Sequence, residues 1–207
     1  MVQKRHLNRN GFRIHARQAG WPAFLCMSVS LWLVNGASAA GPWRVAQGDV
    51  RVKCPMTIGG SFDAKTSTMR GMLTISSTQP SALDGTIAVD LRTLDTGISL
   101  RNEHLREKYL ETDRGAGYET AVLSQIALTG VNTGTPDGKG SFTGSLTLHG
   151  VTKTVTGPVE VRGAAGSLRI KASFPVHLPE YKIAEPRYLG VGVKDVVQVD
   201  VTFTTAQ

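Results

Sequence analysis

The sequence predicts an all-β fold of about eight antiparallel strands with one short helix, arranged either as a sandwich or as a closed barrel. Two observations lead to this prediction: apolar and polar residues alternate over many short runs, and turn signals rich in Gly or Pro separate those runs. The composition is that of a globular domain, because 41% of the 207 residues are hydrophobic and 19% are charged. Such a chain is too apolar to be disordered and too polar to be a bundle of membrane helices.

The strand prediction rests on alternation with a period of two residues. Residues 83–91 place Leu, Gly, Ile, Val and Leu on one face and mostly polar residues on the other. A short strand near 50–57 is expected to begin the domain, and similar alternation recurs at 69–77, 122–129, 142–148, 155–161, 168–174 and 197–204. Turn signals lie between the runs, at 59–60, 80–81, 135–138 and 163–166. Alternation of this kind is typical of antiparallel sheets with one buried face and one solvated face.

One stretch departs from the strand pattern. Residues 99–110 space their apolar side chains with nearly the helical period, at Leu100, Leu105 and Tyr109. This spacing predicts a single short helix. The strongly charged residues 111–119 that follow predict a loop.

The first 39 residues have the order of a secretory signal peptide. Five basic and no acidic side chains are present, an apolar run occupies residues 23–34, and the small-residue motif Ala37-Ser38-Ala39 follows it. The alternative is a membrane anchor, but the apolar run is much shorter than the roughly 20 residues that a span needs. We therefore predict that residues 1–39 are a cleaved signal peptide, and that residues 40–207 form one domain without stable insertion in a membrane.

The positive charge of the chain does not indicate a nucleic-acid-binding protein. The formal net charge is +7, from 23 basic and 16 acidic residues. Five of the basic residues belong to the predicted leader, and the remaining 18 are not clustered into a basic stripe. Since sequence-independent binding to nucleic acid depends on such a stripe, we expect no nucleic-acid partner.

Familiar catalytic motifs are missing from the sequence, including G-x-S-x-G, G-x-x-x-x-G-K-[ST], H-E-x-x-H and C-x-x-C. His104, His149 and His177 lie on different predicted elements, so we expect no metal site. An acid/base pair of His104 with Glu103 remains an alternative. Once the leader is removed, Cys54 is the only cysteine, and we expect it to be a small buried side chain rather than part of an intermolecular disulfide.

Two motifs resemble a known family. The first reads DLRTLDTG at 90–97 and is followed by RNEHL at 101–105, and the second reads GSLTLHGVTK at 144–153. Together with the weaker cues GPW at 41–43 and GSF at 60–62, they resemble the YceI-like family of secreted, polyisoprenoid-binding, lipocalin-like proteins of bacteria. The order and spacing match across almost all of residues 42–204. Asn102 is a departure, because the family usually has an acid after this Arg, and residues 117–120 replace an aromatic-proline stretch.

The resemblance implies an antiparallel lipocalin-like barrel of eight strands, with an apolar tunnel that carries an isoprenoid quinone or polyprenyl lipid. It also implies a periplasmic or secreted binding protein that is not an enzyme and needs no cofactor other than this lipid ligand. A barrel of this size is wide enough either to fill with side chains or to hold one slim ligand. Two other functions stay open: a ligand-free structural or stress-related protein with a filled barrel, and a lipid-acting enzyme that uses His104 and Glu103.

Alternation and the resemblance together nominate the site residues. We expect the tunnel to be lined by Phe62, Ile75, Ile87, Val89, Leu91, Leu105, Leu146, Leu148, Phe174, Val199 and Val201. Four polar side chains are candidates for the mouth, where they would donate hydrogen bonds to a headgroup: Arg101, His104, Tyr109 and His149. The alternatives are that the apolar set simply packs together, that Arg101 and His104 hold a loop, and that His149 serves only a hairpin turn. A dimer is not excluded.

Overall fold

The strands of the protein close into an antiparallel barrel. The computed structural model describes residues 41–76, 79, 81–132, 137–164, 166–188 and 191–207. Its strands are β1 (Trp43–Pro55), β2 (Ser61–Thr66), β3 (Met69–Ile75), β4 (Ala82–Asp90), β5 (Thr120–Thr129), β6 (Gly138–Leu148), β7 (Val151–Ala164), β8 (Ser167–His177), β9 (Arg187–Tyr188), β10 (Val191–Gly192) and β11 (Val196–Ala206). The predicted leader lies outside the described residues, as do positions 80, 135–136 and 165 of three predicted turns.

Closure of the barrel comes from the pairing of the last long strand with the first. Each strand from β3 to β8 pairs with its neighbour in sequence, β8 pairs with β11, and β11 pairs with β1. β1 then pairs with β2 along its second half and with β3 at its start, where Trp43 faces Leu73. β2 and β3 therefore share one strand position, and the barrel has eight strand positions in all. The all-β prediction is confirmed, and of its two alternatives the closed barrel is the observed one.

Two strands of the barrel differ from the sequence prediction. β1 begins at Trp43 rather than near residue 50, because its alternation is interrupted by a register shift between Val45 and Gln47. Such a bulge lets a long strand bend from one partner to the next. β2 was missed altogether, since its six residues carry only Phe62 and Ala64 as apolar side chains.

One short helix, α1 (Ser99–His104), lies between β4 and β5 and continues into a wider π-type turn at Leu105–Tyr109. This confirms the predicted helix. Single 3-10 turns occur at Leu91–Thr93, Thr112–Arg114 and Leu178–Tyr181. Among the described residues, none of the helices is both long enough and apolar enough to cross a membrane.

The interior of the barrel differs between its two ends. At the end where β1 begins, large side chains fill the space, among them Trp43, Leu73, Phe142 and Phe203, and only a void of about 70 Å³ remains. We call this the packed end. At the other end, beneath α1, the interior is hollow, and we call it the open end.

Candidate binding cavity

A cavity of about 680 Å³ occupies the open end of the barrel. Its wall consists of inward-facing side chains from β1, β2, β4, β5, β6, β8 and β11, and its outer part is formed by α1 and by residues within 178–187 and 191–193. The volume lies within the roughly 300–1,000 Å³ of ordinary small-molecule sites. The space is therefore large enough for a ligand.

Strand geometry explains why the wall is apolar. Along β11, Val197, Val199 and Val201 all face the cavity, because alternate side chains of a strand point to the same side. The next inward residue is Phe203, which belongs to the packed end. The polar side chains in between, such as Asp200, form part of the outer surface and bond there, as Asp200 does with Ser173.

The cavity ends at a floor of three side chains. Leu123, Phe174 and Val201 border both the large cavity and the small void of the packed end. Phe174 is buried and packs edge-to-face on Phe142, with ring centroids 5.5 Å apart. Gly144 makes room for Leu123, since a Cβ at Gly144 would lie 2.9 Å from the Leu123 Cδ1 atom. Because this floor separates the two spaces, the cavity is a blind pocket rather than an open tunnel.

A network around Asp95 and Asn102 positions α1 over the open end. The Asn102 side-chain oxygen accepts hydrogen bonds from the Thr96 backbone N–H at 2.8 Å and from the Thr96 hydroxyl at 2.7 Å. The Asn102 amide nitrogen donates to the Asp95 carboxylate at 2.7 Å. An ionised carboxylate at position 102 could accept the two bonds from Thr96 but could not donate to Asp95, so the asparagine that departs from the family pattern suits its surroundings here. The pKa of Asp95 is lowered, first by the N–H of Gly97 and then by Asn102.

The same segment is tied to the barrel by its backbone. Asp95 and Lys65 of β2 exchange two backbone hydrogen bonds of 2.8 and 2.9 Å. The Arg106 guanidinium donates to the Leu94 carbonyl at 3.1 Å. The residues of the first motif therefore hold α1 and the π-type turn after it as a roof over the cavity. Leu105 and Leu110, at the two ends of that turn, reach into the cavity.

The mouth of the cavity combines exposed apolar side chains with polar ones. Ile98 and Leu100 line the cavity while remaining 50% and 54% exposed. The polar side chains of the described lining, apart from the Cys54 thiol, come from the α1 region or the β9–β10 hairpin; they are Thr96, Arg101, His104, Tyr109 and Arg187. Donors are thus gathered on one side of an otherwise hydrocarbon pocket.

The side chains of Arg101 and Tyr109 each contact a partner outside the roof. The Arg101 guanidinium lies over the ring of Phe62, 4.2 Å from its centroid, in a cation–π contact. The Tyr109 hydroxyl accepts a hydrogen bond from the Arg187 backbone N–H at 3.2 Å, which links the roof to the hairpin.

Most of the nominated site residues surround the cavity, and three do not. Those in its lining are Phe62, Val89, Leu91, Leu105, Leu146, Leu148, Phe174, Val199, Val201, Arg101, His104 and Tyr109. Ile75 and Ile87 instead face the small void of the packed end, where they pack against other side chains. Alternation identified their inward face correctly, but it carries no information on depth along the barrel axis.

His149 is the third exception, because it is buried beside the cavity and does not line it. Its Nδ1 atom lies 3.0 Å from the Tyr181 carbonyl, and its Nε2 atom lies 2.9 Å from the Glu111 carboxylate. The Tyr118 ring packs edge-on against it at 4.8 Å. With Gly150 it forms the β6–β7 turn, where both residues have positive φ, as the hairpin alternative required. His149 therefore fastens the loops after α1 and β8 to the barrel.

Cys54 lies in the cavity wall as a buried free thiol. Burial raises the pKa of this thiol to about 12. The structure thus agrees with the prediction of a small buried side chain. In the part of the chain that is described, no group of three His, Cys, Asp or Glu side chains is placed to hold a metal ion.

Several lining residues escaped the sequence analysis. Val52 could have been found, since it lies within the strand expected near 50–57 and alternates with Cys54. Leu178, Ile183 and Val193 belong to connecting segments that have no period of their own. They reach the cavity only because the chain folds over the barrel after β8.

Comparison with known proteins identifies the family. Residues 43–205 match the model of the YceI-like domain. The chain belongs to the YceI-like family. This range includes the barrel strands, apart from the last residue of β11, and the whole described cavity wall, so the family assignment covers the site as well as the fold. No curated protein matches the sequence.

Solved structures of three bacterial proteins share the fold of this YceI-like chain. A polyisoprenoid-binding domain from Saccharophagus degradans implicated in plant cell wall breakdown is 14% identical, with a TM-score of 0.62 over 79% of this chain and 97% of that one. BcnA from Burkholderia cenocepacia is 18% identical, with a TM-score of 0.58 over 75% and 95%. The YceI protein of Campylobacter jejuni is 14% identical, with a TM-score of 0.52 over 68% and 81%.

Proposed function

We propose that this protein binds and carries a long-chain isoprenoid, such as a quinone or a polyprenyl lipid, in the cavity of its open end. The observation that carries the proposal is a blind pocket of about 680 Å³ whose wall is almost entirely hydrocarbon. A solved relative of the same fold is a polyisoprenoid-binding domain, which supports this choice of ligand.

The energetics favour an apolar chain over a polar ligand. Each methylene that leaves water for apolar surroundings contributes roughly 0.8 kcal/mol. A hydrocarbon tail therefore binds through burial alone, without catalytic groups. A polar ligand would leave its hydrogen-bonding groups unpaired against Val199, Leu146 or Phe174, at a substantial cost.

We assign the headgroup to the mouth. Arg101, His104 and Tyr109 stand there on the roof side, and a quinone or phosphate oxygen accepts hydrogen bonds from groups of this kind. His149 has no part in this assignment, because its ring nitrogens face the Tyr181 carbonyl and the Glu111 carboxylate.

An enzyme that uses His104 with Glu103 finds less support. Glu103 is exposed and does not line the cavity, whereas His104 does. Adjacent helical residues do not face each other, so a shared proton between them is not favoured.

We place the carrier in the periplasm or outside the cell, in keeping with the predicted leader.

Mass spectrometry of lipid extracted from protein purified without detergent from a bacterial periplasm tests the proposal. A matched pair on β5 provides the control: Ala121 lines the cavity, and Ala127 is exposed on the outer face. We expect an isoprenoid in the wild type and in Ala127→Trp, and its loss in Ala121→Trp, whose indole would occupy the cavity. Absence of lipid from the wild type, or equal lipid in both variants, would contradict carriage in this cavity.

A further inference from the structure

We infer that Phe174, with Leu123 and Val201, sets the length of chain that the cavity accepts, and that about four isoprene units fit above this floor. The inference rests on the proposed function and concerns the same cavity. It assigns a specificity role to one buried aromatic ring.

The floor is where the hollow part of the barrel stops. Leu123, Phe174 and Val201 border both spaces, and Phe142 and Phe203 lie beyond them in the packed end. A chain that enters at the mouth therefore meets these three side chains before it meets the packed end. Of the three, Phe174 has the largest side chain, so its removal opens the widest path downward.

The position of Phe174 is fixed by the packing of its ring and by the close approach of its backbone to the neighbouring strand. Phe142 packs against it edge-to-face below the cavity. On the neighbouring strand, Gly157 lets the backbone of β8 approach closely, because a Cβ at Gly157 would lie only 3.1 Å from the Phe174 Cβ atom. Swinging the ring aside for a longer ligand would therefore break its packing on Phe142 and disturb the core below the floor.

The cavity volume indicates how long a hydrocarbon chain fits above the floor. If each methylene-sized group needs roughly the 30 Å³ that a water molecule occupies in the liquid, 680 Å³ holds about 20 carbons, or about four isoprene units. Carbons beyond that number must stay at the mouth, where Ile98 and Leu100 are half exposed. Additional units therefore gain little burial, and the affinity is expected to level off.

The test compares the binding of farnesol, geranylgeraniol and geranylfarnesol, which differ by one isoprene unit each, in a partition assay from neutral phosphatidylcholine vesicles. For the wild type we expect the affinity, corrected for each alcohol's partition into the vesicles, to rise up to geranylgeraniol and then to level off. In Phe174→Ala, the space above the floor joins the void of about 70 Å³ below it. We expect geranylfarnesol to bind this variant at least about tenfold more tightly than geranylgeraniol, since two more buried methylenes suffice for that.

Phe203→Ala is the matched control, because it removes a phenyl ring from the packed end and leaves all three floor side chains in place. In this variant, the affinity should depend on the chain length of the alcohol as it does in the wild type. Phe174→Leu and Phe203→Leu form a milder pair that reports the same shift, in smaller measure, where an alanine variant does not fold.

The possible outcomes distinguish the proposed function from the inference about chain length. A wild type that binds none of the alcohols would overturn the proposed function and this inference with it. If the affinity of the wild type still rises at geranylfarnesol, the inference that the floor limits chain length is wrong, and the proposed function stands. A folded Phe174 variant whose affinity depends on chain length as in the wild type, or a Phe203 variant that shifts this dependence equally, would lead to the same conclusion.

Discussion

The two ends of this barrel are built by the same alternation of inward and outward side chains, yet one end is full and the other is hollow. Along β11, Val199 and Val201 face a cavity, and Phe203 faces a packed interior only two residues further. The packed end receives Trp43 and Phe142, whereas the open end receives Ala121 and valines of β1 and β11. Alternation therefore decides which residues point inward, and the sizes of those residues decide whether space remains for a ligand.

Truncation of one leucine at each end measures this difference directly. Leu73→Ala in the packed end should lower the free energy of unfolding by about 4 kcal/mol, because it creates a new cavity in a filled core. Leu146→Ala in the cavity wall should cost nearer about 2 kcal/mol, since one side of Leu146 already lacks partners. Chemical denaturation monitored by circular dichroism gives both values, and equal costs would mean that the open end is collapsed in solution.

Removal of the His149 ring tests what holds the roof of the open end. His149→Ala leaves the Tyr181 carbonyl and the Glu111 carboxylate without this partner, and we expect a loss of about 1–3 kcal/mol of stability. His104→Ala is the matched control at the mouth, with an expected change below about 0.5 kcal/mol. Thermal unfolding of both variants checks the prediction, which a smaller loss for His149→Ala than for His104→Ala would refute.

Acid should loosen the loop at Glu111 before it affects the packed end. The pKa of Glu111 is lowered, mainly by the hydrogen bond from Arg114 and also by His149. A lowered folded-state pKa means that the carboxylate stabilises the fold above its usual value of 4.5, and that this contribution is lost as the pH falls through the lower folded value. Amide hydrogen exchange at residues 111–119 should therefore quicken, relative to intrinsic rates, below pH 4.5. Glu111→Gln should remove most of that pH dependence.

Labelling of Cys54 gives the smallest effect and reports on the cavity wall. With the pKa raised to about 12 by burial, the thiol stays protonated at mildly alkaline pH. Because the thiolate is the nucleophile, iodoacetamide at pH 8 should react at least about a hundredfold more slowly with the folded protein than with the unfolded chain. Mass spectrometry of timed samples measures both rates. Rapid labelling of the folded protein would show that this part of the wall opens to solvent.

Much of the candidate site could be predicted because barrel strands obey a two-residue period. That period placed Val89, Leu146 and Val199 inward, and the family motifs pointed to the roof residues. It failed for Ile75 and Ile87, because a periodic pattern specifies which face of the sheet a residue lies on and not its position along the barrel axis. His149, a candidate for the mouth, lies beside the cavity instead, because its ring nitrogens contact Glu111 and Tyr181, residues far from it in the chain.

By itself, the sequence determined the all-β class, the antiparallel pairing, the short helix and the family, since each follows from local periodicity or from contiguous motifs. Only the tertiary structure decided that the barrel closes through β1 and β11, that its interior is divided at Phe174, and that the cavity is blind. These features depend on contacts between residues distant in sequence and on how well side-chain volumes fill the enclosed space. Neither quantity can be read from the order of the residues along one strand.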